Sequence, residues 1–231
     1  MSNKLINHLK ELLIKNNYLD LYTFLDVILY DKQFGFYNSI NFKKNELIGK
    51  QGHFITAPEI SQLFGELIGI WILQLCRDNR FHNVNLVELG PGKGTLMRDI
   101  LRILSQQKEN LKIKIHLLEV SKVLKSYQKQ NLKQYCHELK WYNNIFKIKD
   151  QLNDNPTIII SNEFFDCLPI NQYKFYKTKN IYTKKIVKFD KKKFFFDEKV
   201  LEPQDIPFIS NFIKVDFDKL NEETTIEHSP F

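Results

Sequence analysis

The 231 residues are 43% hydrophobic, 13% aromatic and 26% charged, which suits one large domain or a domain with a smaller lobe and excludes a wholly disordered chain. A net charge of +7 raises the question of nucleic acid, but only four of the 34 basic residues are arginine (Arg77, Arg80, Arg98 and Arg102), so the forks that read bases and phosphates are scarce and no nucleic-acid partner is expected. The three cysteines, Cys76, Cys136 and Cys167, lack metal-ligand spacing and leave one unpaired, so reduced thiols and no metal site are expected.

The first residues, MSNKLINHLKELLIKNN, have neither the apolar core of a signal peptide nor the arginines of a mitochondrial presequence, which predicts a bacterial-type cytoplasmic protein. Leu5, Ile6, Leu9, Leu12 and Leu13 share one face of a helix over 4–15, and Leu21, Phe24, Leu25 and Ile28 one of a helix over 20–30. YDKQFGFYN reads as a turn around Gly35, and residues 38–53 as a loop. Thr56 and Glu59 then have capping-box spacing with Pro58 in the first turn, opening a helix that runs to Cys76. That segment is interrupted by Ser61, Gln62, Glu66 and Gln74, so it predicts a buried helix and no membrane span. Gly65 and Gly69 share a face suited to close helix packing, and Glu66 is expected to face solvent.

A strand over 84–89, a helix from Thr95 to about Gln107, a strand over 111–119 and a helix over 122–134 follow. WYNNIF predicts a short third strand, and PTIIISNEFFDCLP a buried-type strand ending at Asn162. This alternation predicts an α/β fold with a parallel sheet. From 172 to 200, lysines and aromatics nearly alternate, which predicts two or three antiparallel strands with one solvated face.

In NLVELGPGKGTLMRDIL, three of the chain's eight glycines fall within five residues, at the strand-to-helix turn. Glycine is kept where φ is positive or where something approaches the main chain closely, so a tight turn and a ligand cradle both explain the cluster. Lys93 is followed by Gly94 and position 87 is Val, which rules out a phosphate loop; Gly90-x-Gly92-x-Gly94 is not the dinucleotide spacing either. Glu88 would repel a pyrophosphate and attract a cation. S-adenosylmethionine carries a sulfonium and an ammonium and no phosphate, and Glu119, one βα unit later, can accept its ribose hydroxyls. At the fourth strand's tip, Asn162, Glu163 and Asp166 can hold an acceptor in line with a methyl group; if it is a guanidinium, the two carboxylates grip its planar fork and take its proton. Asp166 reads equally well as a helix cap.

GHFITAPEISQLFGELIGIW, LVELGPGKGTLMRDILR, HLLEVS and SNEFFDCLPINQY together closely resemble the MidA-type class I methyltransferases, the family of the mitochondrial complex I assembly factor. The resemblance implies a class I methyltransferase Rossmann-like fold, S-adenosylmethionine as donor, and a protein arginine, in a complex I core subunit, as acceptor. It places the cofactor loop on Glu88, Gly90, Gly92 and Gly94, the ribose acid on Glu119, and the methyl-transfer element on Asn162, Glu163 and Asp166; Thr56, Pro58 and Glu59 border the same cleft. His53 stands where the family has Asp. The family continues past the element that IEHSP matches, so the last strands of its sheet are expected to be missing, with the fourth strand an open edge; a fragment, one part of a split gene whose other half is separately encoded, and a decaying paralogue all fit this. The implied organisation is a helical cap over 1–58, a cofactor-binding core over 59–171, an antiparallel insertion over 172–200 and a closing segment over 201–231. Two other readings stand beside it: a catalytically inactive relative that binds a partner, and a dinucleotide-dependent oxidoreductase, which the glycine spacing and Glu88 disfavour.

Overall fold

The computed structural model describes residues 3–38, 55–106, 111–135, 138–190, 192–202, 204–205 and 223–230. Apart from Asn38, the loop expected over 38–53 lies outside the described residues, as do His53 and Cys136. The chain divides into two compact units, Met1–Ser39 with Leu168–Phe231, and Ile40–Cys167.

The first unit opens with α1 (Asn3–Asn16), where Leu5, Leu9 and Leu13 recur once per turn and are all buried. Two extended residues, β1 (Leu19–Asp20), lead into α2 (Leu21–Tyr30). Asp20 caps α2 by accepting the Thr23 amide at 2.7 Å, and its other oxygen meets Lys184 Nζ at 3.2 Å. The predicted turn follows: Asp31 accepts the amides of Gln33 and Phe34 through its side chain, and that of Gly35 through its carbonyl.

In the second unit the expected single helix is two. Helix α3 (Ala57–Ile60) carries Pro58 in its first turn, as predicted. The capping box does not form: Thr56 has the extended backbone of a cap, but its hydroxyl makes no capping bond, and the Glu59 carboxylate is engaged elsewhere. After one turn the chain extends at Ser61, whose hydroxyl accepts the Leu63 amide and starts α4 (Gln62–Asp78). Gly65 and Gly69 seat α4 on α5 (Thr95–Leu104): a Cβ on Gly65 would fall 2.7 Å from Asp99 Cβ, and one on Gly69 3.0 Å from the Ile100 carbonyl oxygen. Glu66 is not a free surface charge, since its carboxylate pairs with Arg102 at 2.6 Å.

Strands β2 (Asn83–Leu89), β3 (Lys112–Leu118), β4 (Leu139–Tyr142) and β5 (Thr157–Ser161) form a parallel sheet in the order β4-β3-β2-β5. Helix α6 (Lys122–Leu132) follows β3, and α7 (Ile145–Lys149) follows β4. The third strand therefore starts earlier than WYNNIF; Asn144 accepts the Phe146 amide at 2.8 Å and turns Ile145 and Phe146 into α7. β2, paired on both edges, is buried from Val84 to Leu89. β5 lies at the sheet's edge, and Ile159 is 59% exposed where a buried-type strand was expected. Ile72, Leu86, Met97, Ile100, Leu117 and Leu132 form the centre of this unit's core.

The first unit closes with β6 (Asn171–Tyr176), β7 (Ile181–Asp190), β8 (Lys193–Val200) and β9 (Thr224–His228), all antiparallel. The alternation predicted over 172–200 is real: Tyr173 and Phe175 turn inward, while Lys174 reaches Glu223 at 3.1 Å. Two strands the sequence pattern did not reveal complete the sheet: β1 pairs with β7 beyond the end of β6, and β9 pairs with β6. Leu9, Leu13, Phe24 and Val187 belong to the shared core. Among the described residues, no helix is long and apolar enough to cross a membrane.

Candidate active site

Parallel register brings the expected residues to one end of the β4-β3-β2-β5 sheet. Glu88 of β2 lies opposite Leu117 of β3 and Ile160 of β5, and the next pairs are Leu89 with Leu118 and with Ser161. Glu119 therefore follows one edge of the glycine turn, and Asn162 the other. The Gly90 amide donates to the Leu118 carbonyl at 3.1 Å, and the Glu119 amide to that of Tyr142 at 2.8 Å, which fixes the three strand ends to one another.

All three glycines of the turn have left-handed backbones, with φ of +64° at Gly90, +54° at Gly92 and +81° at Gly94. Side chains rarely take this conformation, so the turn itself requires glycine. Gly94 caps α5 without a side chain, so no capping side chain takes the first amides at the positive end of that helix. At Gly90 there is a second reason: a Cβ would meet Phe164 Cδ2 at 2.5 Å, so the ring of Phe164 lies against this edge of the turn.

Glu88 and Glu119 are buried, at 2% and 7% exposure. Burial is the main cause that pushes the Glu88 carboxyl up to about 8, with the Glu119 charge adding to it. The Glu88 Oε2 atom is buried with no hydrogen-bond partner. Burial also raises Glu119, to about 7, although the Ser121 amide at 2.8 Å and Gln128 Nε2 at 3.1 Å stabilise its anion. From the sequence, Glu88 reads as a standing negative charge. The structure corrects this: in the unliganded chain Glu88 is mostly neutral at pH 7, because an unpaired buried carboxylate is costly. A cation beside it would restore its charge.

The N-terminal block reaches the same place. Thr95, the first residue of α5, donates its hydroxyl to Glu59 Oε1, which ties α3 to the glycine turn. Thr56 and Pro58 lie in that short helix and its cap, with Pro58 buried.

Beyond β5, Asn162 is half-buried, while Glu163 and Asp166 are exposed. Glu163 has φ of +49°, uncommon for a residue with a side chain and found at strained functional turns. Asp166 lies within a single 3-10 turn, 165–167, so it caps no helix. Phe164 and Phe165 stack edge to face between the two acids, and Phe165 is 65% exposed.

Sequence reasoning missed Gln128 and Asn131. Gln128 is fully buried on α6; its Nε2 donates to the Gly92 carbonyl at 2.7 Å as well as to Glu119, and its Oε1 accepts from Trp141 Nε1 at 2.8 Å. Asn131 Nδ2 donates to the Lys93 carbonyl at 2.9 Å. The available signal was an amide at the centre of the Leu124–Gln128–Leu132 stripe, where an apolar residue is expected.

These residues suit a cationic nucleoside: a turn bare of side chains, a helix N-terminus, one carboxyl with an unpartnered oxygen, and a second acid still able to accept hydroxyls. Known proteins agree. Residues 67–231 match the model of a family described as "Putative S-adenosyl-L-methionine-dependent methyltransferase". The chain is 33% identical over 213 residues to "Protein arginine methyltransferase NDUFAF7, mitochondrial" of Danio rerio, covering 82% of this chain and 48% of that protein. It is 38% identical over 154 residues to the Mus musculus protein of that name, covering 58% of this chain and 35% of the relative. The chain thus spans about half the length or less of these curated relatives. A Burkholderia thailandensis protein crystallised with S-adenosyl-homocysteine superposes with a TM-score of 0.73 at 17% identity, covering 98% of this chain and 56% of that one; this shows the fold. The curated relatives carry mitochondrial names, which overturns the expectation of a bacterial-type cytoplasmic protein. Residues 3–16 form a helix that buries Leu5, Leu9 and Leu13, so their composition reflects packing. On the match over 67–231, the chain belongs to this family of S-adenosyl-L-methionine-dependent methyltransferases.

Proposed function

We propose that the chain binds S-adenosylmethionine at the β2 turn and methylates an arginine of a protein substrate. The observation that carries this reading is the buried, unpartnered oxygen of Glu88 beside a left-handed glycine turn. Bound there, S-adenosylmethionine supplies an electrophilic methyl group. Glu88 faces a cationic part of the ligand. Glu119 takes the ribose hydroxyls on lone pairs that Ser121 and Gln128 leave free. Gly90, Gly92 and Gly94 let the main chain close on the ligand, and the first amides of α5 face it. Thr56, Pro58 and Glu59 border the same cleft, with Glu59 held by Thr95.

Glu163, Asp166 and Asn162 receive the acceptor. A guanidinium keeps its proton to a pH above about 12, so its nitrogen lone pair is poor until the charge is localised. Two exposed carboxylates can bind its fork and hold the departing proton, and Asn162 orients it. Exposure of both acids fits a macromolecular acceptor that arrives from solvent. The names of the relatives support arginine as the target and a mitochondrial setting. The family resemblance extends this to a complex I subunit as substrate.

The test is transfer of labelled methyl from S-adenosylmethionine to a protein extract, followed by hydrolysis to amino acids. Labelled methylarginine, lost in Asp166→Asn, supports the reading. Label on lysine alone, or none despite cofactor binding, ends it.

A further inference from the structure

We propose that Gln128 is a positioning residue of the cofactor site: its carboxamide joins the glycine turn to Glu119 and sets both for a nucleoside. This rests on the reading of the β2 turn as an S-adenosylmethionine site.

Gln128 sits between Leu124 and Leu132 on the buried face of α6, where an apolar side chain would pack. Instead its amide is used on every side. The indole nitrogen of Trp141 can only donate, so the atom 2.8 Å from it is the amide oxygen. That fixes the amide against a flip and turns its two N–H groups the other way. One reaches the Gly92 carbonyl at 2.7 Å, the other Glu119 Oε2 at 3.1 Å.

The consequences lie on two different loops. The Gly92 carbonyl is held, and with it the orientation of a peptide in a left-handed turn. Glu119 is held at both oxygens, with the Ser121 amide on Oε1 and Gln128 on Oε2, so its remaining acceptor positions have one direction. Gln128 also packs beneath the end of the turn, where a Cβ on Gly94 would meet its Cγ at 3.3 Å. Trp141 on β4 thus sets the amide, and the amide sets the turn after β2 and the acid after β3. A residue needed only for packing could be methionine, which has similar shape and no amide.

The experiment is calorimetric titration of S-adenosylhomocysteine and its 2′-deoxy analogue into the wild-type chain, Gln128→Met, Glu119→Gln, the double variant and Trp141→Phe. Gln128→Met is expected to weaken S-adenosylhomocysteine binding about 10- to 100-fold, as for loss of a hydrogen bond to a charged group. It should also erase the preference for the ribose hydroxyl. The double variant should lose less than the product of the two single losses, because the part of the Gln128 effect that acts through Glu119 is already gone while the part that acts through Gly92 remains. Trp141→Phe should cost about 3- to 10-fold by freeing the amide to flip. Wild-type affinity in Gln128→Met, or losses that multiply in the double variant, overturns the proposal alone. If Gln128→Met shows no cooperative melt, Trp141→Phe decides: unchanged affinity overturns the proposal and the expected loss supports it. A wild-type chain that does not bind S-adenosylhomocysteine overturns the cofactor reading and this proposal together.

Discussion

The tips of β2 and β5 are neighbours in one parallel sheet, and they turn differently. After β2 the chain bends through three left-handed glycines and buries its acid, Glu88. After β5 a single left-handed residue, Glu163, carries a side chain, and both acids stay in solvent. Burial makes the first carboxyl respond to whichever charge arrives. Exposure leaves the second pair ready for a solvated partner. The division matches a reaction between a small enclosed donor and a large acceptor. The turns meet at Gly90, where the Phe164 ring occupies the space a side chain would need.

Variants that separate the two turns test this division. Removing the charge at the β5 tip, by Glu163→Gln or Asp166→Asn, should lower methyl transfer by about 10²- to 10⁴-fold, the usual worth of a placed acid or base. Affinity for S-adenosylhomocysteine should not change, and stability should stay within about 0.5 kcal/mol, since both side chains are exposed. Loss of cofactor affinity in either variant would erase the distinction between donor and acceptor sides. Gly90→Val should do the reverse. It combines a left-handed backbone with a clash against Phe164, so urea denaturation should show a loss of about 2–4 kcal/mol, and cofactor binding should vanish.

The buried acids also predict a pH dependence. A carboxyl raised from its ordinary value to about 8 in the folded chain binds protons more tightly there than when unfolded. Stability of the unliganded protein is therefore greatest below about pH 4.5 for this group, and declines as pH rises toward about 8. Each such carboxyl contributes a slope of at most about 1.4 kcal/mol per pH unit. Glu119, raised by burial to about 7 although Lys125 lies nearby and lowers it, adds in the same direction. His116 opposes them, since burial and the charges of Lys140 and Lys114 lower it. The difference between wild type and Glu88→Gln isolates the effect: the variant should gain on the wild type as pH rises from 5 to 8, as read from urea midpoints. At the β5 tip, Glu163→Gly should give a small gain in stability. It relieves a left-handed φ at an exposed site and should stabilise by about 0.5–1 kcal/mol, while activity falls.

Much of this arrangement is legible in the residues. The parallel sheet follows from apolar strands alternating with helices, and Glu88, Glu119 and Asn162 reach one end because parallel strands all point the same way. What stays hidden depends on distant partners. Thr56 and Glu59 satisfy the local rule for a capping box, yet Glu59 bonds to Thr95, 36 residues away. Leu19–Asp20 is too short to read as a strand, and only β7 makes it one. Gln128 looks like a surface amide until the stripe that contains it is seen to be buried. The protonation of Glu88 is likewise invisible, because it depends on burial and not on residue type.

The central claim is that a buried carboxyl beside a side-chain-free turn accepts a cationic nucleoside. Its most direct test is calorimetric titration of S-adenosylmethionine and NAD at pH 7 in two buffers of different ionisation enthalpy. Micromolar binding of S-adenosylmethionine is expected, with release of about one proton as the cation restores the charge on Glu88, and no binding of NAD. Preference for NAD, or S-adenosylmethionine binding with no proton release in the wild type, would contradict it.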